Sequence, residues 1–200
     1  KDTMRSTTTQ SENTAVGTNA LNANTGGCNT GVGASALENA TGSNNTAFGR
    51  RALYLNTSGG CNVAVGKQAL EANTTASKNS GLGTCALAKN TTGSENVAMG
   101  FLSSGCNTEG NNNSSLGVQA LRTNTTGDNN VAIGSYALCA NTTASNNTAV
   151  GFCSLVANTT ANSNTAVGRS ALQSNTEGCQ NVGLGNNAME TNTTGDNNVA

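Results

Sequence analysis

The chain has 200 residues, with nine basic and ten acidic side chains for a net charge of −1, no His, no Trp and no Pro. That balance, without a run of Lys or Arg, argues against a nucleic-acid groove or an anionic-membrane surface, and no apolar stretch approaches the roughly 20 residues that span a bilayer. Hydrophobic residues at 34% and aromatics at 2% would ordinarily leave too little apolar surface to offset chain entropy, but a fixed repeat overrules that reading here.

In chain order, residues 1–12 (KDTMRSTTTQSE) are polar and outside the repeat. They read as an extended lead-in without the apolar core of an export signal, so any such signal would lie outside these residues. From residue 13 to 200 the sequence is one array, expected to continue past Ala200. Units open at Asn13, Asn29, Asn45, Asn62, Asn79, Asn96, Asn113, Asn130, Asn147, Asn164, Asn181 and Asn198, the first two steps being sixteen residues and the rest seventeen. A short period held this long predicts a one-dimensional stack in which no unit buries its apolar side without a neighbour. The expected fold is all-β, a parallel β-solenoid (β-roll) of about eleven 17-residue repeats.

Numbering each unit from its Asn as column one, column two is Thr, Val or Ser and column three is always Ala, Gly or Ser. Column four is always apolar: Val16, Val32, Phe48, Val65, Leu82, Met99, Leu116, Ile133, Val150, Val167 and Leu184. Column five is Gly throughout: Gly17, Gly33, Gly49, Gly66, Gly83, Gly100, Gly117, Gly134, Gly151, Gly168 and Gly185. Columns two to five predict a short strand with two different faces, ended by a turn glycine. The simplest assignment makes column four the structural core and presses the small column three against another backbone; alternation alone also allows the reverse. Columns six and seven vary freely and are expected at the surface. Columns eight and nine return to Ala-Leu and supply a second core residue, in either a short strand or one helical turn. Column twelve is Asn in ten units, with Asn39 displaced by one in a short unit, and opens N-T-T-G or N-T-T-A turns. Stacking would align Asn of columns one and twelve into side-chain ladders.

Residues 96–112 break the pattern, placing Ser103 and Ser104 where Ala-Leu belongs, followed by Gly105. The expectation is a tolerated defect refilled by Phe101 or Leu102; the sharper alternative is a kink or a ligand notch.

The consensus N-T-A-V-G-x-x-A-L-x-x-N-T-T-G-x-N resembles the head repeats of trimeric autotransporter adhesins, and more closely the N-T-A-V-G…A-L…N-T-T-G arrays of phage and algal-virus tail-fibre and adhesin-like proteins. The resemblance covers residues 13–200. It implies a parallel β-roll, left-handed in the adhesins, assembled as a homotrimeric rod. The seventeen-residue period, longer than the adhesin head repeat, and the seven cysteines depart from that family.

Catalytic chemistry has no visible basis. Without His, and with carboxylates scattered over unrelated columns, neither an acid/base pair nor an activated nucleophile can be nominated, and no cofactor or metal is expected. The T-T-G-D-N-N turns at Asp128 and Asp196 offer one carboxylate each, a weak calcium set that reads as solvated turn. No cysteine pair is spaced C-x2-C, which removes the usual zinc reading. Cys85 lies one rung from Cys106 and Cys139 one rung from Cys153, making these four the disulfide candidates, with unbonded thiols the alternative; Cys28, Cys61 and Cys179 sit at unit ends. N-x-S/T sequons at Asn56, Asn73, Asn90, Asn124, Asn141, Asn158 and Asn192 are candidate glycosylation sites in column twelve. Their density also follows from turn chemistry alone.

The functional expectation is a structural fibre or stalk segment of a surface appendage or viral tail fibre. It would be extracellular, on a cell or virion surface, and would partner itself as a homotrimer or filament. A module outside this segment would contact a host-surface glycan or receptor. The alternatives are a glycan- or surface-binding module using exposed Asn/Thr ladders, or a self-assembling extracellular filament.

Overall fold

The computed structural model describes residues 12–200, so the lead-in expected over 1–12 lies outside the described residues except for Glu12. Eleven three-residue strands, β1 (Thr14–Val16) to β11 (Val182–Leu184), each take columns two to four of one unit. They pair only with their sequence neighbours, in parallel, in the order β1 to β11. Register is column on column: Thr148, Ala149 and Val150 of β9 lie against Thr165, Ala166 and Val167 of β10. A parallel sheet of consecutive strands needs each connection to travel once around and return one rung higher, which makes the chain an all-β parallel β-solenoid. At about 4.8 Å per strand, eleven rungs extend roughly 50 Å.

The wall opposite the sheet is neither strand nor helix. Column eight donates its N–H to the column-five carbonyl (Ala137 to Gly134, 3.2 Å) and column twelve to column nine (Asn141 to Leu138, 3.1 Å), giving two consecutive tight turns. Rungs are tied between turns as well, as when Leu121 N donates to Ala137 O at 2.9 Å. The path requires left-handed backbone at the column-nine leucines, with Leu121 at φ 51° and Leu138 at φ 49°. A branched residue pays about 1–2 kcal/mol for that conformation, and complete burial of a leucine side chain returns roughly 1.5–3 kcal/mol.

The two faces of the strand are reversed relative to the assignment that put column four inside. Ala132 is 0% exposed whereas its neighbour Ile133 is 40% exposed. Val16, Phe48, Val65, Leu82, Met99, Leu116, Val167 and Leu184 are likewise exposed, with Val32 and Val150 half-buried. The core comprises the small residues of columns three and eight and the column-nine leucines. The interior is only as wide as one leucine. A Cβ on Gly31, in column three, would already sit 3.2 Å from Leu21 Cγ, and one on Gly183 would sit 3.3 Å from Leu172 Cγ. Nothing larger than Ala or Ser fits opposite, so the large apolar residues of column four must point out. Column three therefore packs on the chain's own opposite wall, the arrangement of a self-contained roll, and not on a neighbouring chain.

Asn ladders run through this interior. Asn130 donates its backbone N–H to Asn113 Oδ1 (2.9 Å) and its side-chain amide to Ala144 O (2.8 Å), while its own Oδ1 accepts the N–H of Asn147 (3.0 Å). The column-twelve amide of Asn141 reaches Asn124 Oδ1 (2.9 Å) and the same Ala144 carbonyl (3.0 Å). The two Asn of a unit thus close its final turn on one shared acceptor, and every rung is joined to the next by buried hydrogen bonds. In the short second unit the column-twelve place is held by buried Ala40 and Asn39 is turned outward.

At the irregular unit the core is refilled by serines, not by Phe101 or Leu102. Phe101 is 48% exposed. Ser103 and Ser104 are buried and meet Ser115 of the next rung, whose hydroxyl lies 2.7 Å from Ser103 Oγ and 2.8 Å from Ser104 Oγ. Ser115 is the one Ser in column three, directly over the one Ser-Ser in columns eight and nine, so the substitutions compensate one another and the apolar core is interrupted only between Ala98 and Ala120. Ser115→Ala alone should lower stability by about 1–2 kcal/mol, since it leaves the buried Ser104 hydroxyl without its partner and Ser103 Oγ with only the longer bond to Ser115 O (3.3 Å). The triple change Ser103→Ala, Ser104→Leu and Ser115→Ala should raise it by roughly 1.5–3 kcal/mol through leucine burial. Thermal unfolding of both variants checks the opposite signs.

Candidate functional site

The outward face of the sheet is the main surface feature. Strands β1–β11 present columns two and four as parallel rows, Val63 and Val65, Val97 and Met99, Val131 and Ile133 among them. Phe101, Val118 and Phe152 of column six extend the apolar area past the turn glycines. Column two is Val in four strands and Thr or Ser in the other seven, but column four is apolar in all eleven. Scattered surface apolar residues need no explanation, whereas a continuous apolar row along the whole sheet is the signature of an interaction surface. The interior cannot accept these side chains, so the face is a fixed consequence of the coil.

The glycines of column five fall where the sequence placed turns, and all eleven have positive φ. They are also points of closest approach between rungs. A Cβ on Gly134 (φ 128°) would lie 2.5 Å from Gly151 O, whereas one on Gly60, which lacks positive φ, would come no closer than 3.1 Å to Ser43 O. Gly134→Ala should therefore lower the melting temperature markedly more than Gly60→Ala. Equal losses would mean that neither the left-handed backbone nor the rung-to-rung contact is what selects glycine in column five.

The column-twelve sequons are not available to modification in the folded chain. Asn56, Asn73, Asn90, Asn124, Asn141 and Asn158 are completely buried, and half-buried Asn192 is held by Asn175 Oδ1 and Gly195 O. A glycan on any of them would require the rung to open. For the same reason the Asn ladders do not form an exposed recognition surface, and the column-thirteen threonines spend their hydroxyl protons on the next rung, as in Thr125 Oγ1 to Thr142 O at 3.0 Å.

All seven cysteines are free thiols. The disulfide candidates Cys85, Cys106, Cys139 and Cys153 are half-buried and unbonded. Burial pushes the Cys139 thiol above its ordinary value, partly opposed by the Arg122 guanidinium, and the nearby Cys153 and Cys106 add to the rise. Burial likewise raises Cys153 against the opposing effect of Arg169. A raised folded-state value means less thiolate than in the unfolded chain around the ordinary value of 9.0. Alkylation of Cys139 and Cys153 should then lag behind that of the unfolded protein between about pH 8 and 9.5. Stability from these two neutral thiols is full below the unfolded value and declines as pH rises through the folded one. Rates equal to the denatured chain's would contradict the burial.

Column sixteen carries a role the sequence reading missed. Asp128 Oδ1 accepts the N–H of Asn111 (2.6 Å), Asp128 N donates to Ser145 Oγ (2.9 Å), and Asp196 Oδ1 accepts the N–H of Cys179 (2.6 Å). The aspartates thus act as hydrogen-bond acceptors tying one turn to the next. The signal was present, since column sixteen holds only Ser, Asn, Asp, Cys or Gly. Among the described residues no group of three or more Cys, Asp or Glu is placed to hold a metal ion, and no helix is long and apolar enough to cross a membrane.

The coil and its column-wise ladders define the chain as a parallel β-solenoid repeat protein. Compared with protein-family models, curated proteins and solved structures, it shows no significant match.

Proposed function

We propose that this chain is a structural rod segment of an extracellular fibre or stalk, on a cell or virion surface, whose copies associate side by side through the outer face of the sheet. The single observation that carries the reading is the unbroken row of outward column-four side chains, Val16 to Leu184, on a sheet whose interior is already filled. Such a row is costly in water and is relieved when a second, equally periodic surface covers it. A copy of the same chain has the required 17-residue spacing by construction. Three copies about one axis, as in the adhesin-like repeats that the sequence resembles, would turn each sheet inward. The rod supplies length and stiffness, and a module outside this segment would make the contact with a host glycan or receptor. Catalysis is no part of the reading, because the ladders use their polar groups on one another.

Sedimentation equilibrium of the unaltered protein tests this directly. A mass three times that of the chain is expected, and a monodisperse monomer across the accessible concentration range would reject it.

A further inference from the structure

On the side of the roll away from the sheet's outer face, the structure holds a groove of about 440 Å³ to which no strand residue contributes. It exists because column ten, occupied by Tyr54, Glu71 and Arg122 in nearby rungs, falls to Ala88 and Gly105 in two consecutive ones. The missing side chains leave a slot two rungs tall, lined by Leu55, Ala72 and Leu102 together with Cys85 and Cys106. Its volume lies within the roughly 300–1,000 Å³ of small-molecule sites.

The charges at its rim are unequal. Glu71 is already neutralised by Arg51 at 2.9 Å and accepts from Gln68 at 2.7 Å. Lys89 and Arg122 belong to neither ion pair found among the described residues, which are Arg51–Glu71 and Lys78–Glu95. Arg122 donates only to the Gln119 side-chain carbonyl at 3.2 Å. The groove therefore combines an apolar floor with two uncompensated cations, a complement to a small anion with an apolar body.

We propose that this groove binds a medium-chain carboxylate, its alkyl part lying over Ala88 and Gly105 and its carboxylate between Lys89 and Arg122. This goes beyond the fibre reading and does not depend on it. An apolar tail gains from displacing water over the floor, and the carboxylate finds cationic donors without displacing an existing partner.

The two cysteines of the lining report occupancy. Decanoate, titrated below its micelle concentration, should slow iodoacetamide alkylation of Cys85 and Cys106, read residue by residue by mass spectrometry, and leave exposed Cys61 unchanged. Decanol, the neutral isologue, should protect at least about tenfold more weakly, since it lacks the charge-assisted contacts. The pair Lys89→Glu and Arg122→Glu should abolish protection. Ala88→Tyr, which fills the slot with a residue that the same column already carries at Tyr54, should abolish decanoate binding in calorimetry while leaving the circular dichroism intact. Protection that is absent, equal for decanol, spread over Cys61 as well, or retained in the double charge variant would overturn the assignment.

Discussion

Ala149→Leu is expected to destabilise the roll severely. Column three faces the column-nine leucine of the opposite wall, and at Gly31 and Gly183 a single added carbon would already touch that leucine at 3.2–3.3 Å. Leu at position 149 must displace either Leu138 or the backbone, and such overpacking costs about 1–3 kcal/mol per site. Ala132→Leu, Ala149→Leu and Ala166→Leu together approach the roughly 5–15 kcal/mol that holds an average domain. The three lie in adjacent rungs, so their costs will not simply add. The triple variant should lose β-type circular dichroism, not merely assembly; retention of the spectrum would show that column three is not the inner face.

Asn130→Ala should have an effect of similar size for a different reason. The substitution removes the acceptor of Asn147 N and one of the two amide donors to Ala144 O, and leaves Asn113 Oδ1 with the backbone N–H of residue 130 but without its side-chain amide donor. Each buried group left without a partner costs about 1–3 kcal/mol. Asn130→Asp would keep the shape but bury a charge without a counter-ion, and should be worse near neutral pH than in acid, where the carboxyl can be protonated. Chemical denaturation at pH 4 and pH 7 checks both statements. A loss below about 1 kcal/mol for Asn130→Ala would mean that the ladder is incidental.

Much of the architecture could be read from the sequence because each rung repeats the same constraints. The period placed a strand over residues 148–151, where β9 takes Thr148–Val150, the column-five glycines marked the turns, and the recurring Asn predicted ladders. What periodicity of two cannot supply is the sign of the two strand faces. It shows that Ala149 and Val150 point opposite ways, and the usual preference for burying the larger one fails here. In this coil Leu138 and Leu155 already occupy the space across from the sheet. The left-handed backbone of those leucines was equally hidden, since nothing in an Ala-Leu pair marks positive φ and only the closed path of the coil imposes it. The sequons illustrate a further limit: Asn141 has the local pattern of an acceptor, yet the ladder that uses its amide is visible only when rungs are stacked. The groove, by contrast, had a trace in the sequence at Gly105, although the free cations beside it appear only when Lys89 and Arg122 are brought to one rim.

The outer sheet face is the proposed assembly face of an otherwise complete roll. Replacing Val65, Ile133 and Val167 together by Asp places three carboxylates on that face without entering the interior. Light-scattering mass combined with far-ultraviolet circular dichroism should give a monomer with the spectrum of the unaltered protein, for which three times the chain mass is expected. An unchanged oligomer mass in the triple variant would place the interface elsewhere, and loss of the β spectrum would mean that these side chains belong to the core.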